Sequence, residues 1–168
     1  RAVRDIQRVT VWARRHDEAQ RLAQLWQSQG FEAQAVQDLQ AAVKVADIIS
    51  CATLATSPVV HGDWLQAGSH LDLIGSFTPA MREADDACFT HAALFVDTPE
   101  ALKKSGDLLE PLQRGVITPD DVRADLAALC RGHVLGRETE QERTVFKSVG
   151  TALEDLAAAM LVQARQHG

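Results

Sequence analysis

Two adjacent arginines are the first residues in this chain whose type and position suggest chemistry. Arg14 and Arg15 follow the β-branched run Arg8–Trp12, in the order Trp12-Ala13-Arg14-Arg15, and no acid intervenes before Asp17. Guanidinium groups grip phosphate through forked, charge-assisted hydrogen bonds. In a dinucleotide-binding sheet, an acid at the end of the second strand binds a free ribose 2′-hydroxyl, whereas arginine accommodates a 2′-phosphate. The pair reads equally well as two solvated arginines on a surface turn. A second stretch, Thr53-Leu54-Ala55-Thr56-Ser57, is rich in hydroxyls and follows an apolar run. It can line a cofactor groove, although taken alone it reads first as an ordinary loop. The third, LDLIGSFTPAMRE from Leu71 to Glu83, reads as a buried strand Leu71–Ile74 that stops at Gly75. The polar loop Ser76-Phe77-Thr78-Pro79 follows, and Arg82-Glu83 is expected to open a helix. Open parallel sheets take their ligands beyond the carboxyl ends of the strands, so this loop is a natural seat for chemistry.

Other chemistries find little support. His70 stands alone at the head of a strand and reads as structural. His16, His61, His91, His133 and His167 show no paired spacing, so a metal site is not expected. Asp85 and Asp86 are adjacent and diverge on a helix, where they suit the first turn and its dipole. No GxGxxG, GxSxG or HExxH occurs. Cys51, Cys88 and Cys130 are odd in number and lack a CxxC, as expected of reduced, buried thiols in a cytoplasmic protein. The net charge of −6 disfavours nucleic acid or an anionic membrane as partner. No apolar run approaches a membrane span.

The elements that must position these residues alternate in type. Strands are expected at Arg8–Trp12, Glu32–Val36, Ile48–Ala52, Leu71–Ile74 and Ala92–Val96. Ile48–Ala52 lacks alternation, as a strand buried on both faces does. Helices are expected from Asp17 as N-cap to Gly30, from Asp38 to Val45, from Glu83 to Thr90, and from Thr98-Pro99-Glu100 to Gly106. Val59–Leu65 is ambiguous. This is the βαβ signature of a parallel sheet. Beyond Pro111 the character changes. Thr118-Pro119-Asp120-Asp121 starts a helix with Val122, Leu126 and Leu129 as its buried stripe. Gly136–Arg143 is a charged loop and Thr144–Phe146 a short strand. A last helix, Val149–Gln166, carries Val149, Leu153, Leu156, Ala157 and Met160 on one face. The chain thus reads as a partial dinucleotide-binding domain over 1–115 and a helical segment over 116–168. Arg1 to Asp5 looks like the end of a helix, which suggests that the chain starts inside a domain.

Taken in series, VTVWARR, TLATSP, GSHLDLIGS with TPAMRE, VDTPEALKKSGDLLEPL and TVFKSVGTALEDLAAA resemble the ornithine cyclodeaminase/mu-crystallin family across nearly the whole chain. The form GSFTPxMRE is most similar to bacterial members that reduce cyclic imino acids such as 1-pyrroline-2-carboxylate. The resemblance implies an NAD(P)-dependent oxidoreductase that works as a homodimer on a small imino or amino acid, with NADP(H) preferred and NAD(H) possible. It implies the C-terminal half of a longer protein. That half is a Rossmann-type α/β sheet lacking its first strand and Gly-rich loop, followed by helices of a dimerisation and substrate domain. The groups that hold the substrate are then expected outside this chain. In the 3-2-1-4-5-6 strand order the missing strand lies between the second and fourth. Arg8–Trp12 and Ile48–Ala52 would expose their inner edges, so the 168 residues are not expected to fold and act alone as a complete enzyme.

The resemblance also assigns residues. Ala13, Arg14 and Arg15 match the contacts to the adenosine phosphate, and Thr53, Leu54 and Ala55 the loop running along the cofactor. Ile74, Ser76 and Phe77 match the segment near the nicotinamide, which Ser148 approaches from the returning C-terminal segment. Ornithine cyclodeaminases carry an aspartate two residues after the glycine, in GGD, where this chain has Phe77. An apolar ring can neither hold an ammonium by charge nor move a proton. Imine reduction is therefore expected over cyclodeamination or an alanine dehydrogenase-like activity. Non-catalytic ligand binding, as in mu-crystallin-like members, is the reading from another class.

Overall fold

A computed structural model describes residues 4–166. The helix end expected over 1–5 falls mainly outside that range, and so does His167. The chain divides after Ala46 into two compact units.

The first unit is a βαβ motif followed by a short helix. Strand β1 (Arg8–Val11) pairs in parallel with β2 (Glu32–Ala35), and α1 (His16–Ser28) crosses between them. Val11, Ala19, Ala23 and Ala33 form the core, and Trp26 meets Phe31 edge to face at 5.2 Å beside it. The helix starts earlier than expected. Arg15, not Asp17, occupies the N-cap, and Asp17 and Glu18 sit in the first turn, where the helix dipole favours them. Gly30, at φ 84°, ends the helix. Its N–H reaches Gln27 O and that of Phe31 reaches Trp26 O, a Schellman closure. In α2 (Leu39–Val43) the Asp38 carboxylate caps Ala41 N at 2.9 Å.

The second unit is built on a five-stranded parallel sheet. Its strands are β3 (Ile48–Cys51), β5 (His70–Leu73), β7 (Ala92–Val96), β8 (Val122–Asp125) and β9 (Arg143–Lys147), ordered β3-β5-β9-β7-β8. Strand β4 (Thr56–Val60) pairs in parallel with β6 (Arg82–Ala84) in a small separate sheet. Helices α3 (Ala101–Lys104), α4 (Gly106–Gln113), α5 (Leu126–Cys130) and α6 (Ala152–Gln166) complete the unit. Val145 of β9 stands between Leu71 and Leu94, and all three are buried. Among the described residues β1 pairs only with β2 and β3 only with β5, which leaves the expected open edges.

Tertiary pairing overrides several local signals. Arg82-Glu83 does not open a helix. Those residues form β6, held by β4, and only a 3-10 turn, Asp86–Cys88, follows. Asp85 caps that turn, and Asp86 pairs with Arg82 and Arg114, so neither acid serves a longer helix. The loop expected through Pro58 ends at Thr56, where β4 begins; Gly62–Trp64 beyond it is another 3-10 turn. Gly106 starts a helix where one was expected to end. Ser105 is extended and its hydroxyl accepts from Asp107 N at 3.2 Å, which separates α3 from α4. Thr118 donates to the Asp121 carboxylate through N and Oγ1, but this capping serves one 3-10 turn. Val122 then enters β8 beside β7, and only Leu126 and Leu129 of the expected stripe are helical. Residues 116–168 thus supply two strands besides their helices. Strand β3 is covered on one face only, with Ile49 and Cys51 buried and Ile48 47% exposed.

Leu94 of β7 is buried beside Val145 of the central strand β9. Leu94→Ala is expected to lower unfolding stability by about 3 kcal/mol, as cavity-forming core substitutions do. Urea denaturation of the full-length protein measures it.

Candidate cofactor site

The parallel register sets one edge of the larger sheet. Cys51 lies opposite Leu73, Leu73 opposite Lys147, and Lys147 opposite Val96, so four strands end at one level. The segments leaving those ends hold seven of the expected site residues: Thr53, Leu54 and Ala55 after β3, Ile74, Ser76 and Phe77 after β5, and Ser148 after β9. Leu54 is 72%, Ile74 42% and Phe77 48% exposed, an apolar surface where an open sheet takes its ligand.

Beneath that surface lies a buried carboxylate. Glu83 Oε1 accepts from Thr53 N at 2.5 Å and Thr53 Oγ1 at 2.8 Å. Its Oε2 accepts from Gly75 N at 2.7 Å and Ser76 N at 3.2 Å. One side chain thus ties the loop after β3 to the loop after β5. A Cβ on Gly75 would collide with the Thr53 backbone and with the Glu83 carboxylate, so the close approach requires glycine. Ser76 is fully buried, and its hydroxyl donates to Met81 O at 2.6 Å and pairs with Ser105 Oγ at 2.8 Å. Its side chain braces the loop from inside, while Phe77 beside it turns outward.

Glu83 is held in turn by α4. Asp107 Oδ1 accepts from Glu83 N at 2.7 Å and Ala84 N at 3.1 Å, and its Oδ2 accepts from Lys147 Nζ at 3.2 Å. Asp107 and Lys147 are completely buried. The Cys51 thiol at the end of β3 is pushed up to about 12 by burial, with Glu83 and Asp107 adding to the effect. At the far side, Asp97 Oδ2 accepts from Ser148 Oγ at 3.0 Å, Val149 N at 2.8 Å and Gly150 N at 2.7 Å. That carboxylate fixes Ser148 against the end of β7.

Ala13, Arg14 and Arg15 belong to the first unit, at the turn from β1 into α1. Ala13 packs on the local core. Arg15 is largely exposed and pairs with Glu18 at 3.3 Å. Arg14 is exposed, and its side chain makes no hydrogen bond or ion pair among the described residues. Two histidines have local duties. His70 Nδ1 meets Thr144 Oγ1 at 2.8 Å, and burial holds its pKa below the ordinary value. His61 Nδ1 meets Asp85 Oδ2 at 2.8 Å. Among the described residues no cluster of three or more His, Cys, Asp or Glu could hold a metal ion.

Glu83, Asp97, Asp107 and Lys147 were not legible as parts of the site. Each has a partner 30 or more positions away, Asp107 meeting Lys147 at 40 as well as Glu83 at 24, and only a charge within an apolar run, as at Lys147 in TVFKS, hints at burial.

With this geometry, the whole chain, residues 1–168, matches the ornithine cyclodeaminase/mu-crystallin family. The chain belongs to that family. A delta(1)-pyrroline-2-carboxylate reductase of Paracoccus denitrificans is 47% identical over 158 residues, which are 94% of this chain and 50% of the relative. The structure of the Thermococcus litoralis delta(1)-pyrroline-2-carboxylate reductase, in complex with NADH and L-proline, matches with a TM-score of 0.94 at 35% identity. The match covers 99% of this chain and 53% of that one. An archaeal alanine dehydrogenase dimer with bound NAD matches at 0.89 and 30% identity, over 96% and 50% of the respective chains. The chain spans about half the length of the curated relatives it matches. Its second unit is therefore a Rossmann-type sheet, seen from its carboxyl edge.

The cysteines provide a check on the burial described. Cys51 and Cys88 are buried and their thiols are pushed up by desolvation, whereas Cys130 is exposed. Thiolate is the reactive form, so iodoacetamide at about pH 8 is expected to label Cys130 and spare the other two until the protein is unfolded. Peptide mapping by mass spectrometry reads the order, and early labelling of Cys51 would contradict the burial of its thiol.

Proposed function

We propose that this chain belongs to an NAD(P)H-dependent reductase of small cyclic imino acids of the 1-pyrroline-2-carboxylate type. The observation that carries this reading is the apolar surface of Leu54, Ile74 and Phe77 at the carboxyl edge of the sheet. Polar groups of the loops below are turned inward to Glu83 and Ser105, so the loops present hydrocarbon to a ligand. Such a surface suits one face of a nicotinamide ring, and the bound dinucleotide would supply the hydride. Leu54, Ile74 and Phe77 exclude water and limit the ring's tilt. Ser148 keeps its oxygen lone pairs while donating to Asp97, so it can accept an N–H from the cofactor's carboxamide. Phe77, in place of the aspartate expected of ornithine cyclodeaminases, leaves no group there to bind an ammonium. The named reductases among the relatives support the same assignment.

NADP(H) is assigned as the preferred dinucleotide, with Arg14 as the principal 2′-phosphate ligand and Ala13 and Arg15 beside it. Arg14 is the freer of the two guanidinium groups, because Arg15 already serves Glu18. The relatives with NADH or NAD bound keep NAD(H) open as the alternative cofactor. The protein is read as a cytoplasmic homodimer. Within 116–168, α6 is the part assigned to a dimerisation and substrate domain, because Leu153, Leu156 and Met160 are exposed along it. The residues that grip the substrate and donate the proton are assigned to sequence outside this chain. The likeness to alanine dehydrogenase supports a second reading, reductive amination of a small oxo acid.

Full-length protein is expected to oxidise NADPH in the presence of 1-pyrroline-2-carboxylate, followed by absorbance. Turnover of pyruvate with ammonia and not of the imine would favour the second reading. Ammonia release from ornithine would favour cyclodeamination, and NADPH binding without any turnover a ligand-binding role. Arg14→Ala is expected to raise the KM for NADPH about tenfold or more, the scale of one charge-assisted hydrogen bond, and to leave that for NADH nearly unchanged. Equal changes for both would remove Arg14 from the 2′-phosphate.

A further inference from the structure

We propose that Glu83 is a positioning residue for hydride transfer. Its carboxylate would set the separation of the two loops that flank the nicotinamide and so govern the rate of the chemical step more than cofactor affinity. This rests on the nicotinamide assignment above.

Its placement favours this role. Each of its bonds ends on a residue next to one that forms the apolar surface. Thr53 precedes Leu54, Gly75 follows Ile74, and Ser76 precedes Phe77. The loop after β3 is gripped by one carboxylate oxygen and the loop after β5 by the other, so the reach of one side chain fixes how far apart these residues stand. The acceptor sites are also largely used. Each oxygen already accepts two hydrogen bonds, and Glu83 is completely buried, so it is not disposed to exchange protons with a substrate. The nearby cation cannot compete for it, because Lys147 Nζ is engaged by Asp107. Asp107 also fixes the backbone of Glu83 and Ala84, so the carboxylate is held from both ends of its residue. Small displacements matter in such a place. A misplacement of about 1 Å in reacting groups can cost about 100-fold in rate.

Glu83→Asp keeps the charge but is one methylene shorter and cannot serve both loops at their present spacing. Glu83→Gln keeps the reach but sets an NH2 against two N–H or O–H donors. Thr53→Val removes one bond of the four and is the mildest change. In full-length protein with saturating NADPH and 1-pyrroline-2-carboxylate, single-turnover NADPH oxidation is expected to fall about tenfold or more in Glu83→Asp, and by less in Thr53→Val. Affinity for 2′,5′-ADP, which lacks the nicotinamide, should stay within about twofold, since these substitutions leave Arg14 and Arg15 in place. A purely structural role would lower the melting temperature and leave the single-turnover rate of the folded variant at the wild-type value, which overturns the proposal. Loss of 2′,5′-ADP affinity in step with the rate overturns it too. If Glu83→Asp does not fold, Thr53→Val alone decides by the same two readouts. If the wild-type protein turns over no imine, the reductase reading fails separately. The fluorescence of bound NADPH then tests the clamp, which requires a changed nicotinamide emission in Thr53→Val at unchanged 2′,5′-ADP affinity; unchanged emission overturns it.

Discussion

The Asp107 carboxylate is the contact on which the second unit depends most. One oxygen receives the backbone N–H groups of Glu83 and Ala84, and the other receives Lys147 Nζ. A single side chain from the first turn of α4 therefore joins the small sheet to β9 of the large one. Desolvating an aspartate and a lysine costs several kcal/mol each, and their attraction offsets this only because hydrogen bonds satisfy the remaining acceptor sites. The arrangement is better understood as a device for geometry than as a source of stability. Through Glu83, whose backbone Asp107 holds, this pair bears on both loops that Glu83 grips, including the one bearing Phe77.

The wider pattern is a division of labour between polar and apolar groups at the sheet's carboxyl edge. Carboxylates take up the N–H groups that strands leave unpaired where they end. Glu83 does this for the loops after β3 and β5, and Asp97 for the segment after β9. Buried donors satisfied from below need no water, so the loops can show leucine, isoleucine and phenylalanine outward without losing their shape. Nearby, Arg82 and Arg114 bind Asp86 and Glu110 in a network that holds β6 to α4. Burial opposes the charge on Asp86, yet bonds from Arg114 and Arg82 hold its carboxyl below the usual range.

Much of this was legible in the residue order, for reasons that are local. The β1-α1-β2 motif follows from a β-branched run, helical spacing of alanines and Trp26, and a glycine at the helix end. The loops of the site show in the residue order because apolar runs end in Gly75 or in small hydroxyl residues. What failed were local signals overruled at a distance. Arg82-Glu83-Ala84 has helix-forming composition, but pairing with β4 and the bonds from Asp107 hold it extended. Thr118-Pro119 caps a helix that never grows, because Val122 to Asp125 finds β7. Ser76 lay on the correct loop, yet its hydroxyl faces Ser105, a partner 29 positions away. Which side of a loop faces inward depends on such remote partners, and they leave no periodic trace.

The place of β9 has a consequence for how the chain is made. The last strand among the described residues lies between β5 and β7, so those two strands cannot be bridged until Arg143–Lys147 has left the ribosome. Until then a nascent chain carries two unpaired strand edges that any other strand could join. Lys147 and Asp107 are also 40 positions apart, so the buried ion pair closes late. Parallel pairing across such separations is slow relative to local folding. Synthesis of this sheet should accordingly be sensitive to translation rate and to chaperones until β9 is made, and loss of β9 would leave its halves unjoined rather than merely shortened.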